Sequence, residues 1–237
     1  MKILIIGAHP HYAAQYCAGT VYRHVQRGDE VYVSSLTGGE MMTNMMRPEE
    51  LKQINKTDME TACRLLGIKE LVIHDITDTC VQNNLETRLM VNDDIRRVRP
   101  DIVITHWPND THPDLRETAN AVVDACFMAQ LTTGVWSEKY PAHTVQHAYA
   151  FEAPKLSVDF VPDTFVDITE YKALKLQALE VFKVHYDAIF GGDMDQWCEE
   201  VLGSNRRWGA ESGCLYAEPY RKLRIAELHM KAQKYLP

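Results

Sequence analysis

The sequence predicts an α/β protein in which a mainly parallel sheet lies between two layers of helices, a Rossmann-like three-layer sandwich. An almost wholly apolar run at Lys2–Ala8 is typical of a strand buried on both faces. Strand-like and helix-like segments then alternate at a spacing that indicates βαβ units and a parallel sheet. No internal repeat, low-complexity tract or linker interrupts this pattern. We therefore expect residues 1–237 to form a single domain.

The predicted elements follow from the period of the apolar residues and from glycine or proline at the segment ends. Short apolar runs predict strands, and apolar residues at a period of 3.6 predict helices that end near Gly28, Gly67 and Pro100. The last segment, residues 220–236, is predicted to be charged and amphipathic. Strands are expected at residues 2–8, 30–36, 70–74, 101–105, 145–152 and 164–167, and helices at residues 13–27, 48–66, 85–97, 116–128 and 171–184.

The composition excludes several classes of partner. Apolar residues make up 46% of the chain and charged residues 24%, and the formal net charge is −8. No basic run stands out, so we expect no nucleic-acid partner, and no apolar stretch reaches the ~18 residues of a membrane span. The cysteines form no C-x-x-C pair and the first residues have no signal-peptide layout, which predicts a reduced, cytoplasmic protein. Four methionines within residues 41–46 suggest a pocket lid or a homo-oligomer contact.

The polar residues that follow the predicted strands are the candidates for chemistry. In an open parallel sheet, ligands bind outside the carboxyl ends of the strands, and imidazole and carboxylate groups are common ligands of zinc, iron or nickel. Each of these residues alone could equally cap a helix or shape a turn, so a metal site and plain turn chemistry both stay open. The candidates are His9, His11 and Tyr12 after the first strand, Glu40 after the second, and His106, Asp110, His112 and Asp114 after the fourth.

Four motifs resemble those of the PIG-L/LmbE-like deacetylases and occur in the same order. Residues 7–10, Gly-Ala-His-Pro, resemble the start of the family's A-H-P-D-D-E motif, and residues 111–114, Thr-His-Pro-Asp, resemble its H-P-D-H motif. Residues 36–40 and 213–218 are similar to the family's L-T-x-G-E and G-x-x-Y-A-E segments. The resemblance extends over residues 2–220. It implies the same fold and the hydrolysis of an N-acyl group from an amino sugar or a related carbohydrate conjugate.

The resemblance also implies a mechanism. In the family a zinc ion polarises the amide carbonyl and lowers the pKa of a bound water, and the first aspartate of A-H-P-D-D acts as general base. The zinc ligands are the histidine and the second aspartate of that motif and the last histidine of H-P-D-H. In this chain His9 falls on the first ligand and His11 on the base, but Tyr12 and Leu115 replace the other two ligands. The family's zinc site therefore cannot form unchanged.

Three interpretations of the altered motifs remain open. A divalent cation, with zinc as the first choice, could bind at a relocated site that includes His9, His11 and a group from the loop after the fourth strand. Alternatively, His11 could act as an acid–base group without a metal, with Asp114 orienting His112. The third interpretation is a non-catalytic protein that keeps the sugar pocket. We place an enzyme ahead of the binding protein.

Roles follow for the individual residues. We predict His11, His112 and Asp114 to be catalytic, Tyr12, Glu40 and Asp110 to bind substrate, and His9 and His11 to bind metal.

Overall fold

The computed structural model describes residues 1–41, 45–132 and 139–225, and within them every side chain except those of residues 188–190. These residues form seven strands and seven α-helices. The strands are β1 (Lys2–Gly7), β2 (Glu30–Thr37), β3 (Glu70–Ile76), β4 (Ile102–His106), β5 (His147–Phe151), β6 (Thr164–Asp167) and β7 (Ala217–Leu223). The helices are α1 (Tyr12–Gln26), α2 (Pro48–Leu66), α3 (Leu85–Val98), α4 (Pro113–Ala129), α5 (Lys172–Glu180), α6 (Lys183–Phe190) and α7 (Met194–Ser212).

All seven strands belong to one mixed sheet with the order β3-β2-β1-β4-β5-β7-β6. The strands β1 to β5 run parallel to one another, whereas β7 pairs antiparallel with both β5 and β6. Helices cover both faces, with α1 and α2 in one apolar cluster and α3 and α4 in the other. The predicted three-layer, mainly parallel α/β fold is confirmed.

The first strand shows why the chain forms this sandwich. Successive side chains of a strand point to opposite faces, so Ile3 and Ile5 pack with α1 and α2 while Leu4 and Ile6 pack with α3 and α4. All four side chains are fully buried. Polar side chains would be buried on either face of such a strand, which explains its continuous apolar sequence.

Three predicted elements differ from the structure. Helix α4 begins at Pro113, three residues before its predicted start, because proline suits the first position of a helix. The predicted helix at residues 171–184 is divided between α5 and α6. The predicted amphipathic segment at residues 220–236 instead begins within strand β7, and its residues from 226 onward lie outside the described part.

Helix α7 has no counterpart in the sequence prediction. Gly203 and Gly209 weaken its helical pattern, since glycine is a poor helix former. The structure gives Gly209 a packing reason, because a Cβ at that position would lie 2.6 Å from the carbonyl of Leu215.

The strand order places the carboxyl ends of β3, β2, β1 and β4 side by side. The sheet grows in one direction from β1 to β3 and in the other from β4 onward, so the switch in strand order lies between β1 and β4. Open α/β sheets bind ligands at this switch point. Within the described residues, none of the helices combines the length and hydropathy needed to cross a bilayer.

The methionine cluster lies only partly within the described residues. Met41 and Met45 are exposed, while Met42 lies outside the described part. The lid or oligomer contact suggested for this cluster stays a prediction.

Candidate active site

Three buried side chains meet at the carboxyl ends of the strands. Nε2 of His9 lies 2.8 Å from Oδ1 of Asp78 and 3.3 Å from Oδ2 of Asp114. One ligand atom from each residue lies within 4.8 Å of the other two, an arrangement that could hold a metal ion. One imidazole nitrogen with two carboxylate oxygens is a donor set that suits zinc and similar divalent ions. We call this group, His9 with Asp78 and Asp114, the cation cluster.

The loop after β3 brings Asp78 and Asp114 together. Thr79 adopts a left-handed backbone conformation with φ of 71°, which is uncommon for a residue with a branched Cβ. In this conformation its N–H donates to Oδ2 of Asp114 at 2.7 Å, and the N–H of Val81 donates to Oδ1 at 3.2 Å. The loop therefore wraps around the Asp114 carboxylate and brings Asp78 to the same nitrogen of His9.

Glu40 fixes the other side of the same loop. Its Oε1 accepts a hydrogen bond from the N–H of Asp78 at 3.0 Å, and Oδ2 of Asp78 accepts one from the N–H of Met41 at 2.9 Å. The second oxygen of Glu40, Oε2, is enclosed without a hydrogen-bond partner among the described residues. In this arrangement Glu40 positions Asp78, and its predicted role in substrate binding stays a prediction.

The electrostatics of the cation cluster favour positive charge at its centre. Burial disfavours a charged imidazole, but the hydrogen bonds to Asp114 and Asp78 outweigh burial and raise the pKa of His9 to about 9. Burial also acts against ionised Asp78, yet the contact with His9 and the N–H of Met41 hold its pKa well below the usual range. Two carboxylates around one imidazole thus attract a proton or a cation.

His112 stands beside the cluster as a hydrogen-bond donor. It caps the N-terminus of α4, where its Nδ1 accepts the N–H of Asp114 at 3.2 Å. A neutral imidazole that accepts through Nδ1 carries its proton on Nε2. Burial and the charge of His9 lower the pKa of His112, which keeps the ring neutral. Its ring stands edge-on to that of His9, with the ring centroids 5.3 Å apart.

Asp110 and His106 are engaged by the protein itself. The carboxylate of Asp110 accepts the N–H of His112 through Oδ1 and the hydroxyl of Ser157 through Oδ2, so both oxygens shape the loop. Nε2 of His106 accepts the N–H of Ala8 at 2.9 Å and so joins the ends of β4 and β1. The predicted role of Asp110 in substrate binding stays a prediction.

Tyr12 and Leu115, at the positions of the family's other two ligands, lie in the apolar interior. The ring of Tyr12 stacks on that of His9, with a centroid distance of 5.2 Å, and Leu115 is fully buried in the same apolar cluster. The Tyr12 hydroxyl has no hydrogen-bond partner in the part of the chain that the structure describes. Its predicted contact with substrate therefore stays a prediction.

His11 is not part of the cation cluster. Its ring packs against Tyr12 and His185, with centroid distances of 4.3 and 4.5 Å, and lies 5.9 Å from that of His9. Burial lowers the pKa of His11 well below its usual value, so the ring is neutral. Its Nδ1 is enclosed without a partner among the described residues. An enclosed lone pair costs less than an enclosed N–H, so the proton belongs on Nε2, which makes the ring a donor.

The sequence prediction missed two groups of this site. Asp78 follows β3 at the same edge of the sheet, and the rule that selected residues after the other strands would have found it. The signal was weakened because the predicted strand ends at His74, whereas β3 continues to Ile76. His185 comes from α6, 79 residues after β4 ends at His106 (185 − 106), and no sequence spacing indicates its approach.

Comparison with known proteins identifies relatives of this chain. The PIG-L family model, described as GlcNAc-PI de-N-acetylase, matches residues 4–126, more than half of the chain. A diacetylchitobiose deacetylase from Thermococcus kodakarensis is 27% identical over 97% of this chain and 85% of its own length. A probable N-acetyl-alpha-D-glucosaminyl L-malate deacetylase 2 from Bacillus cereus is 28% identical over 79% of this chain and 84% of its own length.

A solved structure extends this similarity to three dimensions. The N,N'-diacetylchitobiose deacetylase from Pyrococcus horikoshii, in complex with an inhibitor, matches with a TM-score of 0.82 and 26% identity. The match covers 94% of this chain and 83% of that protein.

Proposed function

Because the chain belongs to the PIG-L family of GlcNAc-PI de-N-acetylases, we propose that it hydrolyses the N-acyl group of an amino sugar or a related carbohydrate conjugate. The observation that carries this proposal is the convergence of His9, Asp78 and Asp114 at the switch point of the sheet. Similar proteins named as deacetylases of acetylated sugars support the substrate class. The difference from the family pattern is that Asp78 would supply a ligand where Tyr12 and Leu115 cannot.

The cation cluster fits zinc by the chemistry of its donors. Nε2 of His9, Oδ1 of Asp78 and Oδ2 of Asp114 would hold the ion. Bound there, zinc would polarise the acyl carbonyl and lower the pKa of a water molecule. The N–H groups of Thr79 and Val81 keep the Asp114 carboxylate in place, as hydrogen bonds to metal-binding carboxylates commonly do.

His112 would stabilise the charge that develops on the acyl oxygen. Its Nδ1 is occupied by the N–H of Asp114, so its Nε2–H is fixed as a donor before substrate arrives. A donor that needs no reorientation stabilises an oxyanion better than water does, and removing one such donor typically costs about 10²–10³ in rate. In this proposal His112 is a catalytic donor, and Asp114 orients it through its backbone N–H while its carboxylate would hold the metal.

The test is acetate release from N-acetylglucosamine and N,N'-diacetylchitobiose after chelation and reloading with Zn²⁺. Reloaded protein should release acetate, and Asp78→Asn should lose about 10²-fold or more, because an amide oxygen is a weaker ligand than a carboxylate. Asp75→Asn is the matched control. Its carboxylate lies three residues earlier, is exposed and pairs with Lys52, so the variant should keep full activity.

Two outcomes would contradict the proposal. Turnover that persists in chelated protein would support the metal-free interpretation of the site. Binding of these sugars without any turnover, with or without Zn²⁺, would support the non-catalytic sugar-binding protein.

A further inference from the structure

Two buried imidazoles lie next to each other on the α6 side of the cation cluster. The ring centroids of His11 and His185 are 4.5 Å apart, and their planes are tilted by 42°. Phe182 and Tyr186 stand edge-on to His11 at 6.2 and 6.0 Å. The apolar surroundings strengthen any hydrogen bond that these rings make with a ligand. For neither Nε2 atom do the described residues supply a hydrogen-bond partner.

Asn55 fixes the tautomer of His185. The side-chain amide of Asn55 donates through Nδ2 to the carbonyls of Gly38 and Gly39, at 2.8 and 2.9 Å, which determines its orientation. Its Oδ1 therefore faces Nδ1 of His185, at 2.9 Å. Since Oδ1 can only accept, Nδ1 of His185 must donate. The ring is buried and has no carboxylate partner among the residues that the structure describes, so it is neutral, and its Nε2 is an acceptor.

His11 has the complementary tautomer. Its Nδ1 is enclosed without a partner in the described part of the chain, which places its proton on Nε2. The neighbouring rings therefore offer one donor, Nε2–H of His11, and one acceptor, Nε2 of His185. A hydroxyl group both accepts and donates a hydrogen bond and can satisfy both rings. An ammonium group cannot accept from His11, and a carboxylate cannot donate to His185.

We propose that His11 and His185 together bind one hydroxyl group of the sugar substrate, with Asn55 as the positioning residue that orients His185. This inference rests on the proposed function for the identity of the ligand. His185 lies outside the residues that the family model matches, so this contact is a specificity feature of the C-terminal half of the chain. As a hydrogen-bond donor, His11 would not act as the general base that its sequence position suggests.

The first test reads the tautomers without any activity. Long-range ¹H–¹⁵N NMR of the Zn²⁺-loaded protein distinguishes protonated from unprotonated imidazole nitrogens. We expect the proton of His185 on Nδ1 and that of His11 on Nε2. The opposite tautomer at either ring would overturn the proposal, whatever the protein hydrolyses.

The second test removes the hydroxyl from the ligand. Equilibrium binding is measured for N-acetylglucosamine and for its analogues that each lack one hydroxyl group. One analogue should bind the wild-type protein about 10-fold or more weakly, since a site built to hydrogen-bond a hydroxyl discriminates strongly against its loss. In His185→Phe the same deletion should change binding less than about 2-fold. His147→Phe, at an exposed position of β5, should behave like the wild type.

Conservative variants at His11 separate a donor from a base. His11→Gln keeps an N–H donor, so we expect it to retain most of the binding and turnover that His11→Ala loses. If His11→Gln abolishes turnover but leaves binding intact, His11 is a general base and not a hydrogen-bond donor. The hydroxyl contact would be contradicted if the analogue that binds the wild type most weakly lost the same affinity in His185→Phe. It would also be contradicted if no sugar of the series bound. Intact binding without hydrolysis would count against the proposed function alone.

Discussion

Two buried groups of charges in this protein differ in how completely the fold satisfies them. The ion pair of Lys175 with Glu218 lies under α1, and both side chains are inaccessible to solvent. The cation cluster is buried to the same degree, with His9 at 1% exposure and its two carboxylates at 0%. Burial alone therefore does not distinguish a structural charge from a functional one.

The carboxylate of the ion pair is satisfied within the protein. Oε1 of Glu218 accepts from the ammonium of Lys175 at 2.6 Å and from the N–H of Gly19 at 3.0 Å. Oε2 accepts from the N–H of Thr20 at 2.8 Å and from the hydroxyl of Tyr220 at 3.3 Å. One positive charge balances one negative charge, and each carboxylate oxygen has two donors.

The cation cluster is incomplete. Nδ1 of His9 and Oε2 of the adjoining Glu40 are enclosed without partners among the described residues. Two carboxylates, those of Asp78 and Asp114, face the imidazole of His9, and a third, that of Glu40, accepts the N–H of Asp78. The nearby ammonium of Lys52 pairs with Asp75 instead. An excess of buried negative charge and unpaired buried atoms, rather than burial itself, therefore indicate a site for a cation.

The largest expected effect comes from removing one partner of the Lys175–Glu218 ion pair. Lys175→Met leaves Glu218 buried without its cation, and removing one partner of a buried pair costs about 3–5 kcal/mol. Urea unfolding should report a loss of this size. Lys183→Met is the matched control, since Lys183 pairs with Asp187 on the exposed surface of the next helix and such pairs contribute less than about 1 kcal/mol.

The double variant Lys175→Met/Glu218→Gln sharpens the same test. It removes both charges, so it should be more stable than Lys175→Met alone. If the single variant loses less than about 1 kcal/mol, the pair is not what holds α5 and β7 to α1, and the comparison fails.

A smaller effect is expected at the cation cluster, where the missing charge can be added. A ligand that binds only the folded state stabilises it by about 2.7 kcal/mol at 100 times its Kd, which for a chain of this size raises Tm by roughly 5–10 °C. Zn²⁺ should therefore raise the Tm of the wild type and of Asp75→Asn, but not that of Asp78→Asn. An equal rise in all three proteins would place the ion elsewhere.

The sequence predicts the fold better than the site because the two depend on different information. The continuous apolar sequence of β1 is itself the consequence of burial on both faces, so its position and neighbours could be predicted. The helix α7 could not, because Gly209 is required by contact with Leu215, which only the folded chain brings near.

The same reasoning explains which site residues were found. His9 and Asp114 lie in motifs with a local signature, and they do meet. Asp78 lies in a loop whose path depends on the left-handed conformation of Thr79. His185 lies on a helix distant in sequence, and its contact with Asn55 depends on how that helix packs. Contacts that arise from tertiary packing leave no periodic or motif signal.

The smallest expected effect tests whether an unpaired carboxylate is by itself evidence of function. Oδ2 of Asp58, in α2, is enclosed without a partner in the described residues, and burial is the sole cause that raises its pKa to about 6. A carboxyl whose pKa is about 3.9 when unfolded and higher when folded makes the protein less stable as pH rises. This loss develops between about pH 4 and 6 and is constant above.

Asp58→Asn should therefore stabilise the protein by about 1 kcal/mol at pH 7.5, after allowance for the partial exposure of the side chain, and by much less at pH 4.5. Urea unfolding at both pH values measures the difference, and Glu60→Gln, exposed on the same helix, should be neutral at both. If Asp58→Asn raises the free energy of unfolding at pH 7.5 by an amount that Zn²⁺ does not change, then an isolated unpaired carboxylate only destabilises the protein. The cation cluster would then owe its significance to the convergence of three ligands. A gain of equal size at both pH values would mean that Asp58 is ionised throughout and that its burial is not what the substitution relieves.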